Sequence, residues 1–368
     1  MKKYKHYYLT SESVTEGHPD KVCDFISDSI LDAYLEQDKE SRVAVETFIS
    51  KDKVVVAGQI TSNAKINIEN IVRERLKEVG YTDSSINMDY KTCKVDINIT
   101  KQSNDIAIGV NDGGAGDQGI MFGYATDESE DYMPYPISVA HKLSKRLAEV
   151  RKNGEMPYLK SDGKVQVTVE YVNDAPIRID TILISAQHSA DADIHTLQKD
   201  ILAKVVFEVV EPDMVDIETK FYINPTGRFV VGGAVADTGL TGRKIIVDTY
   251  GGIARHGGGA FSGKDGTKVD RSASYMLRHI AKNIVANGLA RRCEIQLSYG
   301  IGLREPLSIY IDCFGTNRMP ESIIIQAIKK RFDLTPQGII EYLKLKEPIY
   351  SGDYLPCLMY RVRHGGRG

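Results

Sequence analysis

The order in which strand-like and helix-like segments recur is the feature that most narrows the fold of this chain. Residues 43–49 and 54–60 are rich in valine and isoleucine and are joined by the charged turn Ser50 to Lys53, which predicts a hairpin. A helical spacing follows, with Ile68, Ile71, Val72, Leu76 and Val79 on one face and Gly80 as its stop. Cys93, Val95, Ile97 and Ile99 then alternate as a half-buried strand does. Hairpin, helix and strand return in a second copy, from Val165, Val167, Val169 and Tyr171 through Ile177 to Ile184, a helix around His195 to Val209, and a strand near Phe221. A weaker third copy places strands at Glu294 to Ser298 and Leu307 to Phe314 ahead of an amphipathic helix from about Ser322 to Phe332. The copies share element order and no sequence identity. They predict an α+β chain of three similar lobes, each of mixed β-sheet plus helices, in a pseudo-threefold arrangement. The expected lobes are 1–103, 114–233 and 234–368, with segments able to exchange between them.

A chain of 368 residues with 42% hydrophobic side chains can bury several cores. Its 47 basic and 50 acidic residues nearly cancel, so no whole-protein field exists to recruit nucleic acid or an anionic membrane, and any anion site must be local. Cys23, Cys93, Cys293, Cys313 and Cys357 are scattered and odd in number, unlike a zinc site or a disulfide framework, which fits a reducing cytoplasm. Met1 to Thr10 is basic and tyrosine-rich but lacks the apolar stretch of a signal peptide, and no later run reaches the length of a membrane span.

Three stretches between the copies differ in character: Ile108 to Gly123, Asn224 to Gly242 and Tyr250 to Gly266 are dense in glycine and carry Asp, Arg, Lys and His. Glycine allows close backbone approach, which a loop wrapping a phosphate chain needs. Gly258 to Asp265 meets the glycine and lysine spacing of a P-loop but ends in Asp where a magnesium-binding Ser or Thr belongs. Lys264, Lys268 and Asp270 sit just ahead of a helical pattern that includes Ala273, Met276, Leu277, Ile280, Ile284 and Val285, so two cations and a carboxylate lie near a helix N-terminus. Gly17 to Lys21 opens another helix, with Pro19 in its first turn and Val22, Phe25, Ile26 and Ile30 as apolar positions; His18 and Asp20 there either cap the helix or serve a site. Arg243-Lys244 precedes an apolar strand Ile245 to Val247, and Arg228-Phe229 follows the turn Asn224 to Gly227, a pair suited to clamping a purine.

Taken together these segments resemble the methionine adenosyltransferase (S-adenosylmethionine synthetase) family. The strings that carry the resemblance are Thr10 to Val14 with Glu16 to Lys21; Gly114 to Gly119 running into Met121 to Thr126; Gly239 to Gly252; and His256 to Asp265 running into Lys268 to Ser272. It extends from about Leu9 to Tyr350. The resemblance implies the three-lobed fold of that family, a homodimer or dimer of dimers with active sites between subunits, and ATP and L-methionine as substrates. It also implies a reaction in which the methionine sulfur attacks the 5′ carbon of ATP and the departing triphosphate is then cleaved to pyrophosphate and phosphate. Carried onto matching positions, His18 serves the breaking carbon–oxygen bond, and Lys164, Arg243, Lys244, Lys264 and Lys268 surround the phosphates. Asp162, Arg228, Phe229, Asp237 and Ala260 join the ATP site, and Gln59, Gln102, Asp117, Asp237, Lys268 and Ile301 the methionine site. Two Mg2+ ions fall to Asp20 and Asp270, and a K+ ion to Glu46.

The chain departs from that pattern in three places. Gln59 stands where the family usually has Glu, so the methionine ammonium meets an amide and no charge. Asp105 to Gly113 is short for the mobile loop over the site, and Tyr354 to Gly368 replaces the family's aromatic tail. An ATPase or kinase using the near P-loop, and a non-catalytic nucleotide-binding relative, are the alternatives that the sequence leaves open.

Overall fold

The computed structural model describes residues 5–83, 88–101 and 113–352. Three sheets carry the fold, with strands numbered along the chain. The first, in spatial order, joins β1 (His6–Val14), β6 (Leu159–Val172), β7 (Ala175–His188) and β8 (Lys220–Ile223). The second joins β9 (Gly239–Leu240), β2 (Arg42–Ser50), β3 (Lys53–Thr61) and β4 (Lys94–Thr100). The third joins β11 (Ser308–Asp312), β10 (Arg292–Tyr299) and β5 (Gly119–Thr126). Each sheet takes one strand from a distant part of the chain. β1 pairs antiparallel with β6 from His6↔Val172 to Val14↔Lys164, β9 pairs with the end of β2, and β5 pairs along the whole of β10.

Helices cover the inner face of each sheet and define three apolar cores. On the second sheet, α1 (Pro19–Gln37) and α2 (Ile68–Val79) bury Val22, Ile26, Ile30, Val72 and Leu76 against Val43, Val45, Val54 and Val56. Each such side chain removed from water contributes about 1.5–3 kcal/mol. α2 starts at an Asn67 cap and stops at Gly80, whose φ of 97° is left-handed, as its apolar spacing and glycine predict. α3 (Tyr135–Lys152) and α4 (Ile194–Ile201), the latter running on through a π-helical turn at Leu202–Val206, cover the first sheet. α5 (Val269–Ala286) packs on β5 and β10, with α6 (Glu321–Arg331) and α7 (Pro336–Leu343) beside it.

Two local expectations are corrected. Ile245 to Val247 is no strand: residues 241–252 form consecutive turns, with Asp248 N–H donating to Lys244 O at 2.8 Å and Gly251 N–H to Ile246 O at 3.0 Å. The apolar triplet is short, and among the described residues no strand pairs with it. β4 is a strand, but at a sheet edge, and its central Ile97 is 45% exposed where alternation predicts burial. α2 covers its ends, Val95 and Ile99, better than its middle.

Unlike α2, α1 is buried nearly all round. Asp20, Lys21, Asp24, Ser27 and Asp28 are as inaccessible as Val22 and Ile26. Its apolar stripe faces the second sheet, while its polar stripe faces loops from the last third of the chain.

Candidate active site

Two glycine-containing segments lie end to end along the edge of β2 that β3 leaves free. Gly239 and Leu240 pair with Ile49 and Phe48, and Thr241 N–H donates to Thr47 O at 3.0 Å. Further along, Val45 N–H donates to Gly263 O at 3.1 Å, Lys264 bridges Ala44, and Asp265 N–H donates to Val43 O at 3.1 Å. The opposite side of both segments is held by α1. Aspartates at 20, 24 and 28 recur every fourth residue and so share one helix face. Asp20 accepts from Leu240 N–H at 3.0 Å, Asp24 from Gly242 N–H at 2.8 Å and Asp28 from Gly263 N–H at 2.8 Å. One turn on, Asp32 accepts from Tyr350 N–H at 3.0 Å. The close approach requires glycine at 263, where φ is 77° and a Cβ would stand 2.0 Å from Val45 O. At 242 a Cβ would meet that of Ala260 at 2.4 Å, so the two segments also touch each other there.

The first segment delivers cations to the start of α1. His18 caps that helix, its Nδ1 accepting from Asp20 N–H at 3.2 Å. Burial, reinforced by the nearby Lys244 and Lys164 charges, depresses the His18 imidazole to about 3, so the ring is neutral at physiological pH. Lys244 Nζ lies 2.6 Å and Arg243 Nε 3.5 Å from the Asp20 carboxylate. Burial alone would raise that carboxyl, but the Lys244 and Leu240 hydrogen bonds outweigh it and hold Asp20 below the ordinary range. Beneath them, the buried Lys21 bonds both Asp24, at 3.2 Å, and Asp248. Burial pushes the Asp248 carboxyl up to about 7 against the pull of Lys21.

The second segment carries the other cations. Lys264 Nζ pairs with Asp270 at 2.8 Å, and Lys268, the cap residue of α5, pairs with the buried Asp265. Gly259 packs on Asp270: a Cβ there would come within 2.3 Å of its carboxyl carbon. A P-loop is excluded by this arrangement. Turns and not a strand precede the loop, α5 begins at Val269 rather than at the lysine, and Asp265 turns inward to accept from Val43 N–H at 2.6 Å.

A site of this kind holds cations on backbone fixed by buried carboxylates, an arrangement suited to a polyanion. Three family models divide the chain between them: the N-terminal domain of S-adenosylmethionine synthetase matches residues 6–104, its central domain 112–229 and its C-terminal domain 231–356. The chain belongs to the S-adenosylmethionine synthetase family. It is 56% identical over 352 residues to the S-adenosylmethionine synthase of Desulfosudis oleivorans (strain DSM 6200 / JCM 39069 / Hxd3), covering 94% of this chain and 91% of that protein. It is thus a methionine adenosyltransferase by family, acting on ATP and methionine, in a family that uses metal ions.

Within this synthetase framework the sequence-derived residues fall into groups. His18, Asp20, Arg243 and Lys244 converge as described, and Lys164, exposed on β6 opposite Val14, acts on the same His18 ring. Asp162 is buried beside Lys164 and Asp237, accepts from Gly233 N–H at 2.8 Å and is raised by burial. Phe229 is half-buried and exchanges hydrogen bonds with His188, while Arg228 beside it is exposed. Lys264, Lys268, Asp270 and Ala260 form the second group. Glu46 and Gln59 stand exposed on the outer face of the second sheet, where Gln59 lies opposite Ala44, the residue that bridges Lys264. Asp117, Asp237 and Ile301 are exposed, and the first two accept from the next residue's N–H at 2.8 Å. Gln102, residues 105–112 and the tail from Asp353 lie outside the described residues. Sequence reasoning missed Asp24, Asp28, Asp248 and Arg271. The four-residue spacing of aspartates on a helix otherwise reading as core was the available signal.

Proposed function

We propose that this chain joins the sulfur of methionine to the 5′ carbon of ATP, expels the intact triphosphate, and cleaves it to pyrophosphate and phosphate in the same site. The observation that carries this reading is the seating of two cationic segments between the β2 edge and the α1 aspartates. Displacement by a thioether needs no nucleophilic side chain; it needs alignment of sulfur with carbon and stabilisation of charge on the departing oxygen. The neutral His18 is a hydrogen-bond donor for that oxygen, since its Nδ1 is occupied as an acceptor and its Nε2 then carries the proton. Lys164, Arg243, Lys244, Lys264 and Lys268 are the phosphate ligands. Arg228, Phe229, Asp162 and Ala260 serve the rest of ATP, and Gln59, Gln102, Asp117, Asp237 and Ile301 serve methionine.

Asp20 and Asp270 suit Mg2+, which favours a few hard carboxylate oxygens and takes its remaining ligands from phosphates and water. Among the described residues no group of three ligating side chains is found. Magnesium there would neutralise charge developing on the triphosphate. Glu46 offers a carboxylate to K+. Phe48 stands 39% exposed on the outward face of the second sheet, and Ile120 and Tyr310 stand 46% and 47% exposed on that of the third; such exposed apolar side chains suit contact with a second copy of this chain and active sites shared across a homodimer, or a dimer of such dimers. No described helix is long and apolar enough to cross a membrane. The described cysteines are free, which fits a cytoplasmic setting.

Incubation with ATP, methionine, Mg2+ and K+, followed by mass spectrometry, tests the reading. Adenosyl-sulfonium product with pyrophosphate and phosphate is expected; ADP as the main product would refute it.

A further inference from the structure

Lys264 is built on a backbone whose polar groups are all held. Its N–H donates to Phe261 O at 3.2 Å, and the preceding Gly263 donates to Asp28 at 2.8 Å and accepts from Val45 at 3.1 Å. Its own carbonyl accepts from Arg271 at 3.0 Å. Asp28 and Arg271 also bind each other through two parallel contacts of 2.7 and 2.8 Å, with side chains 0% and 1% exposed. Tyr350 covers the guanidinium, 4.2 Å from its carbon to the ring centre, and Tyr275 accepts from Nε at 3.1 Å. Four of the five N–H donors of Arg271 are therefore committed to these partners, and the Asp28 oxygen nearest the loop serves Arg271 and Gly263 together.

A fully buried ion pair contributes little net stability compared with well-packed apolar residues, because desolvation offsets the attraction. Its planar fork does supply fixed directions, which a lysine cannot. We propose that Asp28 and Arg271 are positioning residues for Lys264, setting the backbone from which its ammonium reaches the polyphosphate. The proposal rests on the reading of Lys264 as a phosphate ligand. Neither residue touches substrate; each acts through the Gly263-Lys264 backbone. The arrangement ties α1, from the first third of the chain, to α5, from the last, at the point where the cation is displayed. Misplacement of a catalytic cation by about 1 Å can cost up to a hundredfold in rate, which gives such a clamp a measurable consequence.

The test is a double-mutant cycle of Arg271→Lys with Lys264→Ala in the full chain. The readouts are kcat/KM for ATP and the Kd for magnesium tripolyphosphate, with thermal unfolding as a control. Arg271→Lys is expected to lower kcat/KM by about tenfold or more in the native background and by less than about twofold when Lys264 is already alanine. Equal losses in both backgrounds would mark Arg271 as a general stabiliser and overturn the proposal. A fully active Lys264→Ala variant would instead overturn the reading of Lys264 itself. Should Arg271→Lys fail to fold, residue-resolved hydrogen exchange on the native protein decides: the Gly263 amide is expected to exchange about a thousandfold more slowly than that of the exposed Gly252. Comparable rates would overturn the clamp.

Discussion

Lys244 Nζ lies 2.6 Å from Oδ2 of Asp20, so a proposed phosphate ligand and a proposed metal ligand neutralise one another. Lys264 and Asp270 repeat the relationship at 2.8 Å. On the proposed roles, binding of a magnesium polyphosphate is expected to make each pair exchange partners, the lysine turning to phosphate and the carboxylate to metal. Metal and polyphosphate are then expected to bind cooperatively. Asp20→Asn frees Lys244, and calorimetry with tripolyphosphate in the absence of metal is expected to show affinity raised about tenfold, the worth of one charge-assisted hydrogen bond. The enhancement by Mg2+ should shrink in the same variant. Unchanged metal-free affinity would contradict the exchange.

Lys264→Ala is expected to reduce turnover by about a hundredfold or more, the usual cost of one preorganised charge-stabilising donor. The Lys264 side chain is 26% exposed, and the loop is held by backbone groups rather than by this ammonium. Assembly, measured by native mass spectrometry, should be unaltered.

Gln59 lies between Ala44 and Thr100 on the exposed face of the second sheet, one strand from Lys264. A carboxylate there adds charge for a substrate ammonium. Gln59→Glu is expected to lower KM for methionine about fivefold, equivalent to roughly 1 kcal/mol, with KM for ATP unchanged. Initial-rate kinetics varying each substrate in turn would show it, and an unmoved methionine KM would remove Gln59 from the site.

The neutral His18 has a consequence for stability. Burial and the Lys244 charge take its folded value to about 3 from 6.5, so the unfolded chain binds a proton that the folded chain excludes. Stability from this group is complete above pH 6.5 and is lost as pH falls towards 3, at up to about 1.4 kcal/mol per pH unit. Between pH 7 and 5 the native chain should lose about 2 kcal/mol more than His18→Gln in denaturant unfolding. Parallel profiles would show that His18 titrates normally.

Much of the fold is legible in the sequence where contacts are local. Ile68 to Gly80 has the apolar spacing and the left-handed stop of α2, and the valines of β2 and β6 alternate as they are buried. What the pattern does not show is non-local. Nothing near His6 to Val14 indicates that it will close a sheet 158 residues away, as Thr10 does on Thr168. Ile245 to Val247 looks like a strand because the window holds no sign that neighbouring glycines fold it into turns. The site divides similarly. Its cations stand out among glycines, whereas Asp24, Asp28 and Arg271 resemble surface charges of amphipathic helices until the loops are laid over them.

Rapid-quench kinetics of a single turnover tests the central claim most directly, that these cations ease the exit of an intact polyphosphate. With ATP, methionine and Mg2+, S-adenosylmethionine and enzyme-bound tripolyphosphate are expected to form with one rate constant, ahead of any free phosphate. Phosphate or ADP released before the sulfonium forms, or dependent on no methionine, would contradict it.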